Sequence, residues 1–151
     1  MAKEVEFAYV PFDYEHEKAS QSYLMSLVAI MVGLPLPIFN LIATGIFYLG
    51  NRRGSFFVRW HCTQALLSQF LVVMVNSVGF SWTISIILQR NSVNNNYIAY
   101  IITILLFNII EFVATIFAAI QTRKGKHVEF WFFGTLTNLI CKPGDESKTI
   151  S

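Results

Sequence analysis

The feature that most constrains this chain is a pair of long apolar runs separated by a short polar segment. The runs cover residues 60–88 and 97–121. At about 1.5 Å per residue, the first would form a helix about 43 Å long, more than a hydrocarbon core of about 30 Å requires. The sequence therefore predicts that both runs cross a lipid bilayer.

The composition agrees with a protein embedded in lipid. Hydrophobic residues make up 54% of the 151 residues and charged residues only 13%, which is too apolar for a water-soluble domain of this size. The formal net charge of +2 is too small and too scattered to indicate binding to nucleic acid. We therefore expect membrane lipids, and no nucleic acid, among the partners.

An apolar segment that precedes these two runs is interrupted. It covers about residues 22–50, and the sequence "GLPLP" at 33–37 places two prolines inside it. Each proline lacks an N–H group, so a helix breaks or kinks there. The segment is interpreted either as one broken helix or as a hairpin of two short segments.

The ends of the chain are more polar. Residues 1–20 form an arm rich in acidic and aromatic residues, which we expect to dock on a partner or to lie on lipid headgroups. Residues 128–141 are apolar but too short to cross a bilayer, so they predict an interfacial amphipathic helix before a polar tail at 142–151. The predicted fold is an all-α integral membrane protein with a small bundle of three to four transmembrane helices in residues 21–141.

The positions of lysine and arginine predict the orientation, because cytoplasmic flanks carry an excess of them. Loop 51–60 and the C-terminus are therefore expected to be cytoplasmic. A hairpin at 22–50 would place every Lys and Arg except Arg90 on that side, whereas the length of residues 22–32, about 16 Å as a helix, favours one broken helix. The residues expected to anchor the chain at the interface, or to bind headgroups or an acidic partner, are Arg52, Arg53, Arg59, Trp60, Arg123, Lys124 and Lys126.

Two sets of polar residues lie within the apolar runs. His61, Gln64 and Ser68 share one helix face, where small and hydrogen-bonding side chains favour packing against other helices. That face is interpreted as packing against the chain's own helices or a partner, with a polar path or a catalytic histidine as alternatives.

Glu111 is the one acidic residue of its run and lies near the middle of the bilayer. The depths of Asn40, Asn76 and Asn108 predict that these residues form a buried polar cluster with it. An intramembrane carboxyl serves packing, binds a proton or ion, or contacts a cation on a partner.

No pattern in the sequence indicates an enzyme. Cys62 and Cys141 lie near the side expected to be cytoplasmic, where thiols stay reduced, and neither predicts a disulfide or a metal site. The sequence contains no Gly-rich phosphate loop and no nucleophile and base at a characteristic spacing. We expect no catalytic residues, no cofactor and no metal.

The stretch "FYLGNRRGSFFVRWHCTQALLSQ" resembles the signature of the Tic-twenty-like family, the chloroplast inner-envelope import component and its small bacterial relatives. The residues that match its pattern are Ser55, Phe57, Val58, Arg59, Trp60, His61, Gln64, Ala65 and Leu66. The closing "AAIQTRKGKHVEFWFFGTLTNLI" is similar to the end of that family, and the likeness covers about residues 34–141.

The resemblance implies a bacterial inner-membrane protein, since no transit peptide precedes the apolar segments. It also implies a non-enzymatic accessory subunit of a larger membrane assembly in protein translocation or secretion, with other integral membrane subunits as partners. One alternative is a small transporter or channel that uses Glu111, and another is an intramembrane enzyme.

Overall fold

The computed structural model describes residues 2–5, 7, 9–28 and 37–141, and in them the chain is helical with one two-stranded sheet. Its elements, in chain order, are β1 (Ala2–Val5), α1 (Asp13–Met25), α2 (Pro37–Asn51), α3 (Phe56–Ile87), α4 (Asn95–Arg123), β2 (His127–Phe130) and α5 (Trp131–Ile140).

Helices α3 and α4 confirm the two long apolar helices that the sequence predicts. They contain 32 and 29 residues, so they are about 48 Å and about 44 Å long, and both are long and apolar enough to cross a membrane. Each begins at a residue whose side chain accepts a hydrogen bond from the first turn. Ser55 Oγ accepts from Val58 N, and Asn94 Oδ1 accepts from Tyr97 N at 2.8 Å.

The segment before α3 differs from the prediction. A polar helix, α1, begins at Asp13, inside the stretch expected to be an arm, and ends at Met25. The apolar helix α2 begins at Pro37, where a proline is favoured because a first-turn N–H group has no partner within a helix. The predicted break at 33–37 lies, apart from Pro37, outside the described residues.

The N-terminal residues fold back onto the chain itself. Strand β1 pairs antiparallel with β2, with Ala2 opposite Phe130 and Val5 opposite His127. The ring of Phe7 then stacks on Phe56 at the start of α3, with ring centroids 5.4 Å apart. We call β1, α1, β2 and α5, together with the adjoining ends of α3 and α4, the headpiece.

The C-terminal apolar stretch is a strand followed by a short helix, rather than one helix over 128–141. Residues 128–130 alternate apolar and polar side chains and pair with β1, so the helix begins only at Trp131. In α5, Gly134 and Thr137 face the protein, whereas Trp131, Phe132 and Leu139 are exposed. The apolar side of α5 therefore faces outward.

Small residues allow α1 to approach α3 and α4 closely. The core of the headpiece contains Tyr23, Ala65, Ala118, Ala119, Val128 and Phe130. The three alanines lie on α3 and α4, and Ser20 Oγ on α1 donates a hydrogen bond to the Ala119 carbonyl oxygen at 2.8 Å. Close packing of this kind fixes α1 against both long helices.

Gly125, in the turn from α4 to β2, is required by its backbone and by its neighbour. Its φ is +81°, and a Cβ atom there would lie 2.7 Å from Cε1 of His16. We predict that Gly125→Ala lowers the free energy of unfolding by about 1–3 kcal/mol. Thermal or urea unfolding in detergent, followed by circular dichroism, measures this change.

The matched control is Gly50→Ala near the end of α2, where nothing lies within 4 Å of an added Cβ. That substitution should leave the stability unchanged or raise it by up to about 1 kcal/mol. Equal effects of the two substitutions would contradict the role assigned to Gly125.

Candidate functional site

Four side chains form a hydrogen-bonded network through the headpiece. Tyr23 Oη lies 2.8 Å from His61 Nδ1, and His61 Nε2 lies 3.2 Å from His127 Nδ1. His127 Nε2 lies 3.3 Å from Glu129 Oε1. Tyr23 and both histidines are buried, whereas the side chain of Glu129 is 23% exposed. This network thus connects the core to the surface and joins α1, α3 and β2.

One assignment of the hydrogen atoms satisfies all the hydrogen bonds of this network. The Tyr23 hydroxyl donates to His61 Nδ1, His61 Nε2–H donates to His127 Nδ1, and His127 Nε2–H donates to the Glu129 carboxylate. In the opposite direction, His127 would turn an unprotonated nitrogen toward a carboxylate. The favoured assignment makes both histidines neutral. Burial lowers the pKa of His127, although the Glu129 carboxylate acts in the other direction.

The amide of Gln64 joins the same three elements. Its Nε2 donates to Tyr23 Oη at 2.7 Å and to the Val128 carbonyl oxygen at 3.1 Å, while its Oε1 accepts from Phe130 N at 3.0 Å. Because the side chain is fully buried, the Val128 carbonyl oxygen and the Phe130 N–H group depend on the amide for these bonds, whereas the Tyr23 hydroxyl also contacts His61. Gln64 therefore holds β2 and α1 against α3.

His61, Gln64 and Ser68 all face the chain's own elements. His61 and Gln64 contact α1 and β2, and Ser68 Oγ donates to Glu111 on α4. Each of the three is at most 3% exposed. The face that the sequence identifies is thus covered within the described part of the chain.

Trp60 is not the interfacial anchor that the sequence predicts. It is 1% exposed, because β2 and α5 cover it. Its Nε1 donates to Asn138 Oδ1 at 2.7 Å, and its ring centroid lies 4.3 Å from that of His127. Asn138 Nδ2 in turn donates to Glu129 Oε1 at 3.1 Å, so α5 is hydrogen-bonded to the headpiece network.

The predicted cationic anchors lie at the surface. Arg59 is half-buried, with its guanidinium carbon 5.8 Å from the centroid of the Phe56 ring. The others are exposed, and they are Arg52, Arg53, Arg123, Lys124 and Lys126. These five residues lie on the headpiece end of the molecule, beside the start of α3 or the end of α4.

The four residues predicted as one polar cluster are divided. Asn76 and Asn108 exchange hydrogen bonds across α3 and α4 at 3.0 and 2.9 Å. Glu111 lies about one turn further along α4 and does not join this pair. Its carboxyl accepts hydrogen bonds from Ser68 and Gln69 on α3 and from Thr115 on α4. Asn40 is buried on α2, which packs against α3 and α1.

The opposite end of α3 and α4 carries a polar turn over residues 88–94. Beside it is an open cavity of about 540 Å³, lined by Val78, Ser81, Trp82, Ser85, Asn91, Ser92 and Asn94. The hydroxyl and amide groups there supply both donors and acceptors. Within residues 2–5, 7, 9–28 and 37–141, no group of three or more His, Cys, Asp or Glu side chains is placed to hold a metal ion.

Sequence reasoning missed several members of the headpiece network. His127 and Glu129 are two positions apart on a strand, so both point to the same face, and the alternation in "HVEF" was the available signal. Tyr23 and Asn138 gave no such signal, because their partners are 38 and 78 residues away.

Tyr23→Phe tests the network with the loss of one hydroxyl. It removes the partner of His61 Nδ1 and one of the two acceptors of Gln64 Nε2, so we predict a loss of about 1–3 kcal/mol in the free energy of unfolding. Denaturant unfolding in detergent measures it. The control is Tyr14→Phe at an exposed position of α1, expected within about 0.5 kcal/mol of the original protein. Indistinguishable variants would count against the network.

Comparison with known families identifies residues 19–137 with the Magnetosome magnetite crystal formation protein family. No curated protein and no solved structure matches the chain. The match includes α2, α3, α4, β2 and most of α1 and α5. It shows that the assignment to the Tic-twenty-like family is wrong, and with it the prediction of a role in protein translocation or secretion.

Proposed function

Because this chain belongs to the Magnetosome magnetite crystal formation protein family, we propose that it is a membrane protein of the magnetosome that takes part in forming the magnetite crystal. The observation that carries the proposal is the match over residues 19–137, which covers both long apolar helices. The family description favours neither a transporter nor an intramembrane enzyme. The proposed role is non-enzymatic.

In this proposal α3 and α4 cross the membrane, and the residues before α1 lie on the same side of it as the loop between α2 and α3. Contacts between the N-terminal arm and the start of α3 support this arrangement. Phe57 N donates to Tyr9 Oη at 3.3 Å, and Phe7 stacks on Phe56. The residues before α1 therefore lie at the same end of the bundle as the loop between α2 and α3. The exposed apolar side of α5 lies in the interface.

Charge supports one orientation. In the described part of the chain, every Lys and Arg except Arg90 belongs to the headpiece or to the loop between α2 and α3. From the rule for positive residues we infer that the headpiece lies in the cytoplasm. Near the turn, Trp82 lies with its ring centroid 5.7 Å from that of Tyr97, as expected of aromatic residues at the second interface.

The turn over residues 88–94 then faces the interior of the magnetosome, where the mineral forms. A wet iron oxide surface presents oxygen atoms and hydroxyl groups. Serine and asparagine side chains bind such a surface because they donate and accept hydrogen bonds and offer oxygen ligands to iron. We propose that Asn91 and Ser92 contact the growing crystal.

Two further partners follow from the same arrangement. The exposed cations Arg52, Arg53, Arg123 and Lys124 would lie at anionic lipid headgroups on the cytoplasmic side. The outward apolar sides of α3 and α4 would contact lipid or other integral membrane proteins of the magnetosome.

To test the proposed function, variants of the turn are expressed in a strain that lacks the chromosomal copy of the gene for this protein. We predict that Asn91→Ala combined with Ser92→Ala yields crystals of smaller mean diameter by electron microscopy, because fewer groups bind the mineral. Asn94 is kept, since its side chain caps α4.

The matched control is Glu17→Ala combined with Gln21→Ala, two polar residues of α1 in the headpiece. This control should restore crystals of the original diameter. If the turn variant restores normal crystals and the α1 variant does not, the headpiece faces the mineral and the proposal is overturned.

A further inference from the structure

The carboxyl group of Glu111 is surrounded by oxygen-bearing side chains at the middle of α4, about 18 Å from Arg123 along the helix. Its Oε1 accepts hydrogen bonds from Ser68 Oγ at 3.0 Å, Gln69 Nε2 at 2.8 Å and Thr115 Oγ1 at 2.9 Å. Within the described residues, none of its hydrogen bonds is made by Oε2.

The amide of Gln69 supplies a second, independent observation. Gln69 is 1% exposed, and its Oε1 is a buried atom with no hydrogen-bond partner among the described residues. Oε1 is bonded to the same carbon as Nε2, which contacts the Glu111 carboxyl, so a rotation of the amide would turn this oxygen toward that carboxyl. Buried polar atoms are nearly always partnered, so a lone buried acceptor in the side chain that contacts a carboxylate favours a bound cation that the two side chains share.

Among the residues that the structure describes, no cationic side chain lines the groove beside Glu111. Glu111 and Ser68 line an open groove of about 690 Å³ between α4 and the β2–α5 segment. Its other lining residues are Phe107, Ile109, Ile110, Val113, Ala114, Phe117, Phe130, Trp131, Phe132 and Phe133. Apart from Glu111, none of these side chains is titratable or charged, and the α3 and α4 contacts of Glu111 are neutral. A carboxylate in such surroundings is costly unless a cation neutralises it.

We propose that Glu111, Gln69, Ser68 and Thr115 form a binding site for one monovalent cation, a sodium ion or a proton. One positive charge balances the single carboxylate. Carboxylate, amide and hydroxyl oxygens are the ligands that hard cations prefer. This site is separate from the proposed contact with the crystal, since it lies between α3 and α4 and not in the turn.

Occupancy requires the Gln69 amide to rotate by about 180°, a rotation that exchanges Oε1 with Nε2. Without a cation, Nε2 donates to the carboxylate, as in the structure. With a sodium ion bound, Gln69 Oε1 would face the carboxylate, and the ion would contact Gln69 Oε1 and a carboxylate oxygen of Glu111. With a proton bound, the Glu111 carboxyl donates it to Oε1. The rotation gives Oε1 a partner and moves Nε2 to the position that Oε1 leaves.

The test is thermal unfolding of the full chain in detergent at pH 7.5, in 100 mM sodium chloride and in 100 mM choline chloride. We expect the midpoint to be about 3 °C higher in sodium, because a ligand that binds only the folded state stabilises it. Glu111→Gln should abolish the difference, and Gln69→Met should reduce it. Ser77→Ala on α3, whose hydroxyl bonds only to its own helix, should retain it.

A series from pH 8 to pH 5 separates the two cations. A sodium effect that fades as the pH falls supports a sodium site for which protons compete. No sodium effect, but a midpoint in choline that rises at low pH in the original protein and not in Glu111→Gln, supports a proton site. If the original protein responds to neither cation, or Glu111→Gln responds as the original does, the proposal is overturned.

Discussion

The side chain of Gln64 joins the elements that distinguish this chain from a plain helical hairpin. One amide donates to Tyr23 on α1 and to the Val128 carbonyl of β2, and it accepts from Phe130 N at the end of β2. All of its partners are buried, so loss of the amide would leave a backbone carbonyl and a backbone N–H group without their bonds and would remove one of the two hydrogen bonds of the Tyr23 hydroxyl. The position of the headpiece relative to α3 depends on this residue.

The two ends of the bundle follow from that constraint. When α1, β2 and α5 are fixed at one end of α3 and α4, the cations of the described residues other than Arg90 collect there. The other end carries a short polar turn that contains Arg90 together with serine and asparagine. Between the two ends, the contacts of α3 with α4 include two polar groupings, the Asn76–Asn108 pair and the Glu111 site. Proteins retain such groups in lipid where they fix helix register or bind a ligand.

The sequence predicts the parts of this fold that depend on local pattern. Apolar runs gave α3 and α4, and their caps Ser55 and Asn94 are typical N-cap residues. The headpiece depends on contacts distant in sequence, such as Val5 opposite His127, which no local pattern encodes. The same holds for Trp60, which has the position of an interfacial tryptophan but is covered by β2 and α5. The small polar face from His61 to Ser68 was visible, but its partners were not.

In the proposed orientation the headpiece lies outside the magnetosome and the turn over residues 88–94 lies inside it. Labelling of single cysteines with a membrane-impermeant maleimide in intact isolated magnetosomes tests it directly, because the native Cys62 and Cys141 are buried. We expect Arg53→Cys to react at once and Ser92→Cys to react only after detergent is added. Immediate reaction of Ser92→Cys, with Arg53→Cys protected, would contradict it.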